Sequence, residues 1–275
     1  MSDADVRRAA VAGSFYPRDP DALRRLVLEC LGPEQEPPRR APAAIVPHAG
    51  LVYSGRCAGT VLRRLTLPPT VVVLAPNHTG LLGAPGGASV WARGAFATPL
   101  GRSPVAATFA AALIERCALV AHDPEAHRAE HAVEVELPFL QVLAPATAIV
   151  PIVLAWDDWP RCRTLAEALS EVIRGWPDDV LVLASSDMTH YESAASAARK
   201  DRLALSAVER LDGEALLEVC RRERVTMCGR AAAAVALETA RRLGATHAAV
   251  VDYRHSGMVT GDDARVVAYA GVVTG

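Results

Sequence analysis

Long apolar runs, disulfide patterning and a surplus of one charge are all missing from this sequence, and each absence removes a class of protein. No stretch reaches the roughly 18 uninterrupted apolar residues of a membrane-spanning helix, and the opening MSDADVRRAAVAGSFYP has no apolar segment of the secretory kind. A soluble, cytoplasmic protein with no membrane contact is expected. The 29 basic and 31 acidic residues nearly cancel, to a net formal charge of −2. The arginines are scattered along helical faces, which argues against a nucleic-acid groove. Six cysteines, Cys30, Cys57, Cys117, Cys162, Cys220 and Cys228, show neither CxxC pairs nor regular spacing. A disulfide framework or zinc knuckle is not expected, and most should be free thiols in a core. HExxH, the P-loop lysine motif and GxSxG are also lacking, and there is no internal repeat or low-complexity tract. The GPEQEPPRRAP stretch, Gly32 to Pro42, is too short for a domain boundary, so one domain across residues 1–275 is expected.

What the chain does contain is a series of buried-strand signals alternating with helical ones. VLVLASSDMTHY, Val180 to Tyr191, starts as six residues fit for a buried strand, five of them aliphatic, and ends in a serine, an aspartate, a threonine and a histidine. Such a continuous apolar run marks a strand covered on both faces, as in a parallel sheet. Shorter versions precede His48 (a strand Ala43 to Val46, broken by Pro47) and His78 (Val71 to Ala75). AIVPIVLA is another buried strand, and HAAVVDYRHSG and ARVVAYAGVV close the chain as two more. Asp19 and Pro20 form an N-cap and first-position pair, which predicts a helix from Pro20 to Leu31. Further helices are expected after PHAG, over Val105 to Cys117, through AEHAVEVELPFLQVLAP up to Pro138, over Ala194 to Leu211 and Gly213 to Arg222, and from Cys228 onward. TGLLGAPGGAS reads as a mobile loop and ASVWARGAFATPLG as a hairpin or edge strands. The alternation predicts an α/β fold, a three-layer α/β/α sandwich whose sheet is mostly parallel with some antiparallel edge.

Small ligands bind at the carboxyl ends of such strands. Three strands deliver His48, His78 and the Asp187/His190 pair at that end, so one pocket is expected. Two imidazoles are half of a typical catalytic metal site. Asp187, Glu134 and Cys228 are the candidates to complete it; Cys228 reads as the first turn of a helix, where the dipole favours a thiolate. His131 and Glu134, three apart, are expected to share a helix face that brings His131 towards the sheet.

AGSFYP, PHAGLVYSG, PNH, EHAVEVELPFL, SSDMTHY, MCGR and DYRHSG together resemble the Memo family, whose bacterial and archaeal members are called AmmeMemoRadiSam system protein B. The blocks run in the family's order from about Ala12 to the C-terminus. The family in turn resembles class III extradiol dioxygenases, so the resemblance implies an extradiol-dioxygenase-like fold and metal ligands at His48, His78 and Cys228. A cysteine in place of the dioxygenases' carboxylate makes a softer site, open to copper or zinc as well as iron; iron is the first expectation. Asp187 and His190 match acid/base or supporting positions, and His131 is a further pocket residue. Leu51 departs from the aromatic residue that often follows PHAG. The resemblance implies a metal-dependent oxidoreductase of unknown substrate. The alternatives are a metal-dependent hydrolase and a non-catalytic protein working with AMMECR-type and radical SAM partners.

Overall fold

The computed structural model describes residues 5–33 and 37–275; residues 34–36, inside the Gly32–Pro42 stretch, and residues 1–4 lie outside the described residues. In chain order, β1 (Val6–Arg7) leads to α1 (Pro20–Leu31), β2 (Ala43–Val46), α2 (Leu51–Leu62) and β3 (Thr70–Pro76). Then come β4 (Ala88–Val90), β5 (Ala95–Thr98), β6 (Gly101–Pro104), α3 (Ala107–Arg116), β7 (Val120–His122), α4 (Glu125–Arg128) and α5 (Leu137–Leu143). β8 (Ala148–Leu154), α6 (Trp159–Arg174), β9 (Val180–Ser185), β10 (His190–Glu192), α7 (Ala194–Glu209), α8 (Gly213–Arg222) and α9 (Arg230–Arg242) follow. β11 (Ala248–His255), α10 (Gly257–Thr260) and β12 (Val266–Thr274) complete the chain.

Among the described residues, nine strands form a mixed central sheet in the order β10-β12-β2-β9-β3-β8-β4-β7, with β11 on β12. Its middle, β2-β9-β3-β8, is parallel throughout, and antiparallel pairs flank it on both sides. Successive side chains of these strands point to opposite faces. Ala43, Ile45, Val72, Leu74, Val182 and Ala184 pack with α3, α6, α7, α8 and α9 on one side. Ala44, Val46, Val71, Val73, Leu181 and Leu183 pack with α1, α2 and α5 on the other. Helices on both faces make the three-layer α/β/α sandwich, and they are the reason the strand sequences carry no alternation. The cysteines are free thiols, all buried except Cys228, which is partly exposed. No helix among the described residues is long and apolar enough to cross a membrane.

Two local expectations need correction. The segment before Pro138 is not a helix: a loop carries His131, a single 3-10 turn spans Glu134–Glu136, and α5 starts at Leu137. Pro138 therefore stands in the first turn of α5, where its missing N–H costs nothing. The helix expected from Cys228 starts at Arg230, with Gly229 as its N-cap. The expected hairpin is β5 and β6, which join β1 in a separate three-stranded sheet, whereas β4 inserts into the central sheet between β8 and β7. Within the TGLLGAPGGAS loop, the Asp123 carboxylate accepts from the amides of Gly83 and Ala84 and from Ser89 Oγ.

The His131 loop is fastened by a buried polar core. Arg7, only 2% exposed, donates to the carbonyls of His127 and Glu130 and pairs with Glu134. His127 is buried against Trp91 and Phe96, with Nε2 3.0 Å from the Ser89 carbonyl oxygen. Burial, with Arg7 close by, pushes the His127 imidazole down to about 4 from an ordinary 6.5. The unfolded chain therefore takes up this proton first as pH falls. The stability present above pH ~6.5 should be lost on acidification through pH ~4, by up to about 3 kcal/mol from this group. Denaturant titrations between pH 7.5 and 4 should show the decline, and His127→Gln should flatten it in that window.

Candidate metal centre

Because β2, β9 and β3 are adjacent and parallel, the first polar residues after each strand emerge side by side. His48 follows β2, Asp187 follows β9, and His78 follows β3. The His48 and His78 rings meet edge to face with centroids 5.2 Å apart. His131 reaches the same place from its loop, stacked on His78 at 4.5 Å and 5.4 Å from His48. One ligand atom from each of these three histidines lies within 4.8 Å of the others, an arrangement that could hold a metal ion. Cys228 is not one of these three but lies next to them, its Sγ 3.3 Å from His48 Nε2. The cysteine can press in because Gly229 follows it; a Cβ there would meet the Ser185 carbonyl oxygen at 2.3 Å and Ser186 Cβ at 2.6 Å.

The remaining sequence candidates occupy defined but different places. Asp187 is anchored: its Oδ1 accepts from the backbone amides of His48 at 2.9 Å and Ala49 at 3.3 Å, tying the ends of β2 and β9 together. Its own amide donates to Cys228 Sγ at 3.2 Å. His190 is held by Thr226, whose carbonyl oxygen lies 2.9 Å from Nδ1 and whose hydroxyl accepts from the His190 amide. A carbonyl only accepts, so Nδ1 carries the proton and Nε2 keeps its lone pair. Tyr191 takes a left-handed backbone (φ 61°) directly after it, a strained turn of the kind that gathers at functional sites. Glu134 turns away from the cluster. Its carboxylate accepts from the amides of Ala10 and Val11 and from Arg7 and Tyr16, so it secures the N-terminal segment and does not share a helix face with His131.

Two carboxylates that the sequence reading passed over stand directly behind the histidines. Glu130, 1% exposed, accepts from the His78 amide at 2.6 Å and lies 2.9 Å from His78 Nδ1. It also takes the amides of His131 and Ala132. A carboxylate on Nδ1 leaves Nε2 of His78 as the free ligand atom, the usual support of a metal-bound histidine. Glu136, fully buried, lies behind His48 through Ser185. The available signal was their position: charged residues in a segment otherwise made of core residues.

The electrostatics follow from burial with few countercharges. Burial, reinforced by the neighbouring His78, His131 and His190, holds the His48 imidazole well below its usual range. Burial also lowers His131. Neutral imidazoles have the lone pairs that ligation needs. Burial raises Glu130, but its bonds with His78 and the backbone amides outweigh that and hold the carboxylate low. Burial pushes Asp187 up to about 6 against the pull of His190 and the His48 and Ala49 amides. The Cys228 thiol is likewise pushed up to about 12 by burial, with the Asp187 charge adding to it. That reverses the expectation of a helix-stabilised thiolate, because Cys228 precedes the helix and faces a carboxylate.

The Memo family, described as Memo-like protein, matches residues 7–273. The chain belongs to the Memo family. A MEMO1 family protein of Methanopyrus kandleri is 38% identical over 97% of this chain and 98% of its own length. One from Aquifex aeolicus is 40% identical over 98% of each, and one from Archaeoglobus fulgidus is 38% identical over 98% of this chain and 99% of its own. The whole site therefore lies within the part of the chain that is Memo-like.

The two glutamates Glu130 and Glu134 should separate cleanly. Glu130→Ala should weaken metal binding by about 10–100-fold, the usual effect of losing a ligand's supporting carboxylate. Glu134→Ala should leave metal content alone but cost about 3–5 kcal/mol, because it leaves the Arg7 charge buried without a partner. Metal titration and chemical denaturation of both variants check the pair; swapped effects would overturn the assignment.

Proposed function

We propose that this Memo-family protein binds a divalent metal through His48, His78 and Cys228 and acts as a non-haem metal-dependent oxidoreductase on a small substrate. The observation that carries the reading is the convergence, from separate strands and loops, of His48, His78 and His131, with Cys228 Sγ 3.3 Å from His48 Nε2 beside them. It lies beside a cleft of about 510 Å³ lined by Asn77, Leu82, Trp156, Asp157, Cys228 and Arg230. The donor set suits iron first, with copper or zinc accommodated by the sulfur. His131 is a second candidate for the third ligand, favoured by its place in the histidine group; in the leading reading it serves as a pocket residue beside His78.

When bound, the ion supplies Lewis-acid and, for iron or copper, one-electron redox chemistry. The protein's own residues do the rest. His190, with Nδ1–H committed to Thr226, presents Nε2 as the acceptor for a proton from a substrate hydroxyl. Asp187 holds the His48 loop by its two amides. Trp156 and Leu82 give the cleft an apolar wall, and Arg230, bonded to Asp157 through Nε at 2.7 Å, gives it a polar one. A hydrolase would use the same base against water. The substrate and a cytoplasmic location remain part of the proposal, as do AMMECR-type and radical SAM partners.

Elemental analysis of protein purified without oxygen tests the reading. Wild type and Cys162→Ser should carry metal, and Cys228→Ser should lose most of it. Equal content in all three would remove Cys228 from the ligand set, and loss in His131→Ala instead would put His131 there. His190→Ala should keep its metal while any turnover falls by ~10²–10⁴-fold. Oxygen consumption separates the oxidoreductase from a zinc hydrolase. A metal-free anaerobic wild type that binds an AMMECR-type protein would favour the partner-binding reading.

A further inference from the structure

The Ser185 hydroxyl, fully buried at the end of β9, has three neighbours at the same distance. His48 Nδ1, the Ala132 carbonyl oxygen and Glu136 Oε1 all lie 2.8 Å from its Oγ. A hydroxyl has one proton to give and two lone pairs with which to accept. The Ala132 carbonyl can only accept, so it takes the Ser185 proton. The other two neighbours must then be donors, His48 through Nδ1–H and Glu136 through a carboxylic O–H. This assignment satisfies every hydrogen bond around Ser185, whereas an ionised Glu136 would leave it competing with Ala132 for one proton.

The far side of His48 agrees. With Nδ1 protonated, Nε2 is an acceptor, and it is Nε2 that lies 3.3 Å from Cys228 Sγ. The chain of groups therefore runs from Glu136 through Ser185 and His48 to the centre of the cluster. We propose that Glu136 is a positioning residue of the metal centre, a neutral buried acid that, through Ser185, locks His48 in the tautomer whose Nε2 lone pair faces the metal position. The surroundings support a neutral acid: no cation contacts Glu136 among the described residues, its Oε2 is buried without a hydrogen-bond partner, and burial pushes its carboxyl well above the ordinary range. This arrangement differs from that of His78, where an ionised carboxylate, Glu130, does the orienting directly. One site thus has two histidines fixed by opposite protonation states of glutamate.

The proposal rests on the metal reading only for its consequence in affinity, and the experiment keeps the two apart. Histidine-selective ¹⁵N NMR of the metal-free protein should show His48 protonated at Nδ1. Infrared difference spectra between wild type and Glu136→Gln should show a protonated carboxyl that the variant lacks. Glu136→Gln, whose amide can still donate to Ser185, should keep the tautomer and bind Zn²⁺ within about threefold of wild type. Glu136→Leu and Ser185→Ala should each lose the single tautomer and weaken Zn²⁺ binding by about 10–100-fold. A wild-type His48 protonated at Nε2 overturns the proposal without any variant having to fold, and so does the absence of the protonated-carboxyl difference signal when Glu136→Gln folds. Should wild type take up no Zn²⁺ or Fe²⁺ while His48 still shows the Nδ1–H form, the tautomer lock stands and the metal reading falls.

Discussion

Burial of the four central parallel strands on both faces is the constraint from which the site follows. Along β2, β9, β3 and β8 a polar side chain has nowhere to go, since each face is covered by helices and an unpaired polar group in the core costs about 1–3 kcal/mol. Polar residues can first appear where the strands end. Parallel pairing then puts those ends on one edge, so His48, His78 and Asp187 become neighbours although 30 and 109 positions separate them in sequence order. The edge is not merely permissive, because Asp187 bonds the His48 and Ala49 amides and thereby fixes the relative height of two strand ends.

Gathering so many polar groups at a partly closed edge creates an electrostatic problem that the chain solves with hydrogen bonds and not with cations. Arg7 and Arg230 are both engaged with acidic partners outside the histidine cluster. The imidazoles of His48 and His131 are held neutral, the Cys228 thiol is pushed towards its protonated form, and Glu130 stays ionised by collecting backbone amides and His78. On the proposed reading, a divalent cation would meet histidine lone pairs directed inward and a thiol that must release a proton to ligate it, so uptake would be linked to pH.

Much of this was legible in the residues. Unbroken apolar runs predicted a doubly covered sheet, and polar clusters at the ends of those runs predicted one edge rich in His and Asp. Asp19-Pro20 marked the start of α1, and the glycine after Cys228 was visible in MCGR. The resemblance to the Memo family pointed to His48, His78 and Cys228; the group found able to hold a metal ion is His48, His78 and His131, with Cys228 Sγ beside His48 Nε2. The errors fell where local signals conflict with tertiary demands. EHAVEVELPFL has helical spacing, yet Arg7, Tyr16 and the amides of Ala10 and Val11 draw Glu134 outward while the cluster draws His131 inward, and one helix face cannot serve both. The start of α9 was placed two residues too early, at Cys228, because its cap is Gly229, which lacks the side-chain oxygen that usually marks such a boundary.

By itself the sequence determined the layers, the parallel middle of the sheet and the edge at which chemistry collects, because hydrophobic periodicity and strand-end punctuation are local properties that each segment carries alone; that half of the strand pairings are antiparallel was not legible. Only the tertiary structure decided which groups stand behind the histidines. Glu130 serving His78, Ser185 and Glu136 serving His48, and Arg7 holding Glu134 are contacts between segments distant along the chain. A carboxylate's role there depends on whether its neighbour can give or accept a proton, which no spacing within one segment records.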